Sequence, residues 1–420
     1  MPDIGRRIIN RLLQFKNQIL WAIVFILAVN FIYFVIINSD RPSHGFATYY
    51  TASRLLLEGE KVKSFYNDDW FSSKVENYVP AVYEIYHVNL PTTSLIMLPL
   101  AKFDYTTSRI IWTIFNFFIL IFSAGVVIRK FHFQEKWIPI TLILLFSFQP
   151  LYANFSYAQI YVVIFCLLIL AWYAYNSGKD ELLGFLIGFI LIIKTASIFL
   201  LILLLVQKKW RSLGWVFATA FLLILLSIPF VGIEAWLAYA DALTKYVSNP
   251  TLSVTAYQTI HSFFYHLTVF DQQWNPSPVI YLPMLGKLLT IFLSLIILAV
   301  TSYYAFKLKK SDLSFGAFLI AGVVLSPASL DYHYIILLIP IFILIKEVRE
   351  RKSVIFWISI IFVYSLIAAA LPYTSPKVTA GWWALLAYPK LYGALGLFGL
   401  FIWISFDSVF KPKDISISSK

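Results

Sequence analysis

Apolar runs of about 20 residues recur along this chain, separated by short polar stretches, and they decide what it can fold into. The first covers residues 19–37, behind a basic stretch at residues 1–17. At 1.5 Å per residue, a helix of that length crosses a hydrocarbon layer. Further runs lie at 110–128, 138–152, 160–175, 182–206, 214–230, 285–306, 313–325, 334–345, 354–371 and 391–406. Backbone in lipid must satisfy its own hydrogen bonds, so the runs are expected as helices. The chain is 60% hydrophobic and 13% charged, where soluble domains run near a quarter charged. Tyr and Trp gather at the ends of the runs, as an interfacial belt requires. The one cysteine, Cys166, sits inside a run and permits neither an internal disulfide nor a cysteine metal site.

The net charge of +12 could suggest nucleic acid, but the basic residues cluster in short groups between apolar runs, as in cytoplasmic loops. No basic face with base-stacking aromatics accompanies them, so nucleic acid is excluded as a partner. No small-residue cleavage site follows the first run, which is read as a retained helix. Counting 182–206 as two short helices meeting at Lys194, the layout has about twelve crossings with both termini cytoplasmic. The whole +12 excess then falls on the inner side and the outer segments balance to zero. The expected architecture is an all-α polytopic membrane protein. A single integral-membrane domain covers 1–410, with outer loops at 38–109 and 231–283, and 411–420 is a disordered cytoplasmic tail. Residues 90–103 are apolar but broken by Pro91 and Pro99, and whether they cross is open.

The polar segment 38–89 holds a large share of the titratable groups: Asp40, His44, Arg54, Asp68, Asp69, Glu84 and His87. Long loops on a rigid scaffold are where function usually sits. The stretch TYYTASRLLLEG has helical propensity and an apolar stripe, consistent with a helix along the membrane surface. Asp68 and Asp69 read as turn and cap residues. Glu84 lies where the chain re-enters apolar sequence, and a carboxylate at the mouth of a lipid-facing cavity can take a proton from an attacking hydroxyl. That role falls to one of Asp40, His44 or Glu84, with the choice open.

Lys194, amid some 25 apolar residues, is costly unless paired or facing water. At the apex of an outer hairpin it can hold a phosphate as a point charge, the bland alternative being a side chain that snorkels to the interface. In SPASLDYHYI, Asp331 and His333 occupy an outer turn, with His333 as phosphate donor or base and Asp331 as its orienter, or merely as a helix N-cap. Asn154, Gln159, Gln258 and His261 sit at helix mouths; such groups suit a hydroxyl-rich ligand and equally suit helix-to-helix hydrogen bonds.

Six segments in order carry a likeness: GFATYYTASRLLLEG, NLPTTSLIMLPLA with RIIWTIFNFFIL, PLYANFSYAQIYVVIFCLLIL, LLGFLIGFILIIKTASIFLLILLLVQKKW, AYQTIHSFF and SPASLDYHYIILLIPI. Together they resemble glycosyltransferase family 87, the polyprenyl-phosphate-mannose-dependent mannosyltransferases of the GT-C superfamily. The departures are specific. Gly45 stands where that family commonly has its catalytic Asp, Ala158 precedes Gln159 in place of Gly, Thr195 follows Lys194 in place of Pro, and Tyr257-Gln258-Thr259 stands for Asn-Gln-Ser. The resemblance implies a GT-C bundle and a hexosyltransferase of the plasma membrane. It would move a hexosyl unit, mannosyl in that family, from a polyprenyl-phosphate sugar to an acceptor glycan or glycolipid on the outer face, with inversion. No cofactor or metal is implied. Lys194, His333 and Arg54 are the candidate phosphate holders, and Asp331 joins Glu84, Asp40 and His44 as candidate acid–base groups. The alternatives are a transporter or flippase of lipid-linked sugar, for which no matching inverted halves appear, and a non-catalytic member, which Gly45 makes a real option.

Overall fold

The structure, a computed structural model, describes residues 2–130, 137–246, 249–308, 311–348 and 354–410. The expected tail at 411–420 and the basic residues Lys136, Lys309, Lys310, Arg349, Arg351 and Lys352 lie outside the described residues. Within them the chain is all helical, 76% helix with no strands, as a backbone that must pair with itself in lipid requires.

In chain order the helices are α1 (Pro2–Asn38), α2 (Phe46–Leu57), α3 (Asp68–Tyr78), α4 (Thr93–Ile96), α5 (Tyr105–Lys130), α6 (Ile138–Phe146), α7 (Gln149–Ser156), α8 (Tyr161–Asn176) and α9 (Asp180–Ile193). There follow α10 (Ile198–Val206), α11 (Trp210–Val231), α12 (Ile233–Tyr246), α13 (Ile260–Thr268), α14 (Pro283–Lys307), α15 (Asp312–Val324), α16 (Leu338–Val348), α17 (Val354–Ala368) and α18 (Pro389–Phe410). Five stretches among the described residues are long and apolar enough to cross a membrane: Lys16–Asn38, Tyr105–Arg129, Trp210–Val231, Pro283–Lys307 and Pro389–Val409. The pair α6 and α7 adds a sixth if taken as one span bent by 51°. The bend falls at Ser147 and Phe148, where the ladder is interrupted ahead of Pro150. Four shorter apolar helices, Tyr161–Asn176, Thr195–Val206, Asp312–Val324 and Val354–Ala368, fall on further runs of the expected series but are too short to count as spans by themselves. The spans expose large side chains such as Phe25, Ile36, Phe118, Phe221, Phe292 and Ile361, which only lipid solvates without cost.

Residues 90–103 do not form a straight helical span. They fold as successive turns around α4. Segment 38–89 contains a helix where one was expected, α2, and α3 after it; nine of the twelve α2 residues are buried, so it is packed into the unit and not laid on a surface by one stripe. One cap differs from expectation. The α3 cap is Asn67, whose side chain accepts from Trp70 N at 3.1 Å, so Asp68 and Asp69 fall in the first turn and favour its positive end. The α5 cap is Asp104, whose Oδ1 accepts from Thr107 N at 3.0 Å.

The chain forms two compact units, Met1–Ile169 with Val231–Tyr239, and Leu170–Phe230 with Ala240–Lys420. The first packs α1 on α6 and α7, with Phe31 edge-on to Tyr152 and Phe155. Its loop has a core of its own, in which Phe65, Phe71, Val75 and Tyr86 bury against Val231 and Ala235. In the second, α15 is sheathed by α10, α14, α16 and α18. Gly184 and Gly188 let α9 lie against α11, where a Cβ would meet the Ser212 and Val216 carbonyls at 2.3 and 2.6 Å.

The break at Lys194 is present as expected. Lys194 is extended, with φ −155°, between α9 and a short 3-10 turn leading into α10. The chain reverses there. Asp180, at the start of α9, pairs at 2.7 Å with Lys209, just past the end of α10, and Ser212 Oγ donates to the same carboxylate. Lys194 therefore stands at the apex of a helical hairpin.

Candidate functional site

In the first unit the chain turns sharply between α1 and α2. Gly45 has φ +79°, a left-handed conformation that glycine adopts without strain. Its N–H donates to Glu84 Oε1 at 2.8 Å. His44 Nδ1 lies 3.0 Å from the same oxygen, and Thr48 Oγ1 donates to Oε2 at 2.8 Å. Glu84 reaches this corner from residues 82–86, which belong to no helix; along them Val82 and Tyr86 are buried and Glu84 is mostly covered, while Tyr83 is exposed. Tyr86 anchors the segment, its hydroxyl donating to Leu90 O at 3.0 Å. The Glu84 side chain keeps 16% of its surface and that of His44 keeps 62%. The Glu84 hydrogen bond, then its charge, raises His44 above the ordinary imidazole value against the opposing effect of burial.

The corner is braced from behind. Gln159 lies against Gly45, and its Oε1 accepts from the buried Tyr49 hydroxyl at 2.7 Å. The turn carrying Gln159 docks through Tyr157 O, which accepts from Phe46 N at 3.2 Å. The first turns of α5 hold both turns in place. Buried Arg109 donates to Ser43 Oγ, and to Asn38 O and Ser156 O at 2.8 Å each. Trp112 Nε1 donates to Ala158 O at 2.9 Å. Ala158 itself has φ +45°, which explains why a glycine suits that position.

Of the groups expected in this unit, His44, Glu84 and Gln159 come together. Asp40 is exposed on the bend after α1 and makes no contact with Glu84. Arg54 is engaged elsewhere, donating to Glu58 Oε1 at 2.9 Å and Ala101 O at 3.0 Å. Asn154 donates to Pro150 O of its own helix at 2.8 Å. His87 pairs not with Glu84 but with Asp68, at 2.7 Å.

In the second unit, the turn 325–333 brings His333 within electrostatic range of Lys194. Enclosure first, and then the Lys194 charge, hold His333 low, to about 3, so its ring is neutral. Its Nδ1 accepts from Leu330 N at 3.0 Å. The helical turn starting at Asp331 has Leu330, not Asp331, at the N-cap position. The Asp331 carboxylate instead pairs at 2.9 Å with Lys390, a buried lysine that also donates to Ile367 O at 2.7 Å. Sequence reasoning missed Lys390. It opens the last apolar run, where a lysine reads as an ordinary interfacial flank.

Gln258 is fully buried. Its Nε2 donates to Thr255 O and Ala387 O at 2.7 and 2.8 Å, and its Oε1 accepts from Lys390 N at 3.2 Å. It braces the fold, as the helix-contact reading allowed. His261 is buried and stacked on Tyr265 with ring centroids 4.0 Å apart, and its Nε2 has no hydrogen-bond partner among the described residues. Burial lowers it to about 4. Among the described residues no group of three or more His, Cys, Asp or Glu could hold a metal ion.

The family model of glycosyltransferase family 87 matches residues 88–330. That stretch holds Gln159, Lys194 and His261, while the Glu84 corner lies just ahead of it and His333 just behind. No curated protein and no solved structure matches the chain. A match over more than half of the 420 residues, on an all-helical chain with five apolar spans, settles the family: the chain belongs to glycosyltransferase family 87 and is a membrane glycosyltransferase.

Proposed function

We propose that the protein transfers a hexosyl unit, mannosyl by its resemblance, from a polyprenyl-phosphate donor to an acceptor glycan or glycolipid, with inversion at the anomeric carbon. The reaction takes place at the outer face of the plasma membrane, on a chain with about twelve crossings and both termini inside. The observation that carries this reading is the carboxylate–imidazole corner at Glu84 and His44, held in one geometry by Gly45 N–H and Thr48. Transfer to a hydroxyl needs a group that takes its proton as the new bond forms. In the second unit, Lys194 at the hairpin apex, beside a neutral His333, offers a charge and a hydrogen-bond donor to a phosphate. Asp331 supports that turn through Lys390 instead of acting on substrate.

The test is transfer of radiolabelled mannose from a polyprenyl-phosphate donor, assayed on purified full-length protein in liposomes with a glycolipid acceptor. Lys194→Gln is expected to raise the donor KM about tenfold, the loss of roughly 1.4 kcal/mol of phosphate binding. Wild-type protein that moves no sugar from any polyprenyl-phosphate hexose would end the proposal.

A further inference from the structure

The corner contains two groups able to accept a proton, and their surroundings divide the work between them. Glu84 Oε1 already accepts from Gly45 N–H and faces His44 Nδ1, and Oε2 accepts from Thr48. These bonds occupy lone pairs on both carboxylate oxygens and leave Glu84 committed to its neighbours. The carboxylate is also mostly covered, at 16% exposure, behind an imidazole that is 62% exposed. Glu84 on Nδ1 fixes that nitrogen as the donor, which leaves the Nε2 lone pair on the opposite side of a largely exposed ring. The Tyr83 carbonyl is a further hydrogen-bond acceptor beside the ring, most of which faces outward.

We propose that His44 Nε2 takes the acceptor hydroxyl's proton and that Glu84 is a positioning residue, which orients the ring and stabilises its charged form. The assignment rests on the glycosyl-transfer reading above. In the step, the acceptor O–H bond breaks and its proton goes to Nε2. The oxygen's electron pair forms the bond to the anomeric carbon. The bond from that carbon to the phosphate oxygen breaks, and its pair leaves with the polyprenyl phosphate. The imidazolium, paired with Glu84, then returns the proton to water across its exposed edge.

Gly45 is needed for this arrangement, since its positive φ presents its own N–H and the preceding His44 to one carboxylate oxygen. The charged group facing the ring is Glu84, and the Tyr83 carbonyl is the other acceptor near it. Tyr49 of α2 lies behind the carboxylate with its hydroxyl kept neutral by burial. A base whose proton affinity is set by one neighbouring carboxylate leaves a readable trace in the pH profile.

The experiment measures kcat/KM against pH for the full-length protein in liposomes, with polyprenyl-phosphate mannose as donor. Wild type is expected to gain activity with pH through one inflection above the ordinary histidine range. Glu84→Gln should move that inflection down toward the ordinary value and lower the rate. His44→Gln should lose the inflection and at least about a hundredfold in kcat, with the melting temperature unchanged because the ring is exposed. Added imidazole should restore part of the rate to His44→Ala but not to Glu84→Gln. An inflection that survives in His44→Gln, or a His44→Gln rate within twofold of wild type while Glu84→Gln is dead, overturns the assignment and makes Glu84 the base, with transfer itself intact. Wild type inactive at every pH overturns the glycosyl-transfer reading and the assignment with it.

Discussion

Gly45 and Gln159 are in contact with no room left for a side chain at position 45: a Cβ there would lie 2.0 Å from Gln159 Nε2 and 2.8 Å from its Cδ. Gly45 is therefore not an empty position. It is filled from one side by an amide and from the other by the Glu84 carboxylate.

Gly45→Ala is expected to cost about 1–2 kcal/mol from the left-handed backbone alone. It should also push Gln159 off Tyr49. Thermal unfolding in detergent should show a lowered midpoint, and the transfer rate should fall with it. Gly45→Asp should behave the same way and gain no activity. A Gly45→Ala variant as stable and active as wild type would show that the corner is looser than described.

The buried pair Lys390–Asp331 makes a second prediction. Lys390 is almost fully covered and Asp331 keeps 19% of its side-chain surface, and removing one partner leaves the other uncompensated. Lys390→Met should destabilise by about 3–5 kcal/mol, the usual cost of breaking a buried pair. Adding Asp331→Asn should recover part of that loss, and a double-mutant cycle on unfolding free energies measures the coupling.

A third prediction concerns acid. Burial lowers His261 from 6.5 to about 4, so the folded chain keeps it neutral where the unfolded chain takes a proton. Between those values the unfolded state binds more protons, and stability falls as pH falls. At 1.36 kcal/mol per unit the interval amounts to about 3 kcal/mol. His333, held to about 3, works in the same direction. Melting temperatures at pH 7 and pH 4.5 should therefore differ less in His261→Phe than in wild type.

The class of fold was legible from run length and hydropathy, because lipid leaves a backbone few options. The break at Lys194 was legible too, since charges at both ends of residues 182–206 had to lie on one side, and the Asp180–Lys209 pair joins those ends. The pairing of the corner was only half visible. Sequence reasoning named Asp40, His44 and Glu84 together, but His44 and Glu84 lie 40 residues apart and meet through Gly45's positive φ, which leaves no trace in composition. Lys390 was invisible for a different reason. A lysine opening an apolar run is indistinguishable from an interfacial flank until its partner 59 positions earlier, Asp331, is placed beside it.

Arg109 sets an order on assembly. Its guanidinium binds Ser43 and the carbonyls of Asn38 and Ser156, groups drawn from stretches more than a hundred positions apart. The segment between the first two helices thus cannot settle into shape as it leaves the ribosome. It must wait until the α5 helix is inserted and the turn after α7 has been synthesised. Until then His44 and Glu84 have no fixed geometry, and the nascent chain carries its reactive groups in an unassembled form.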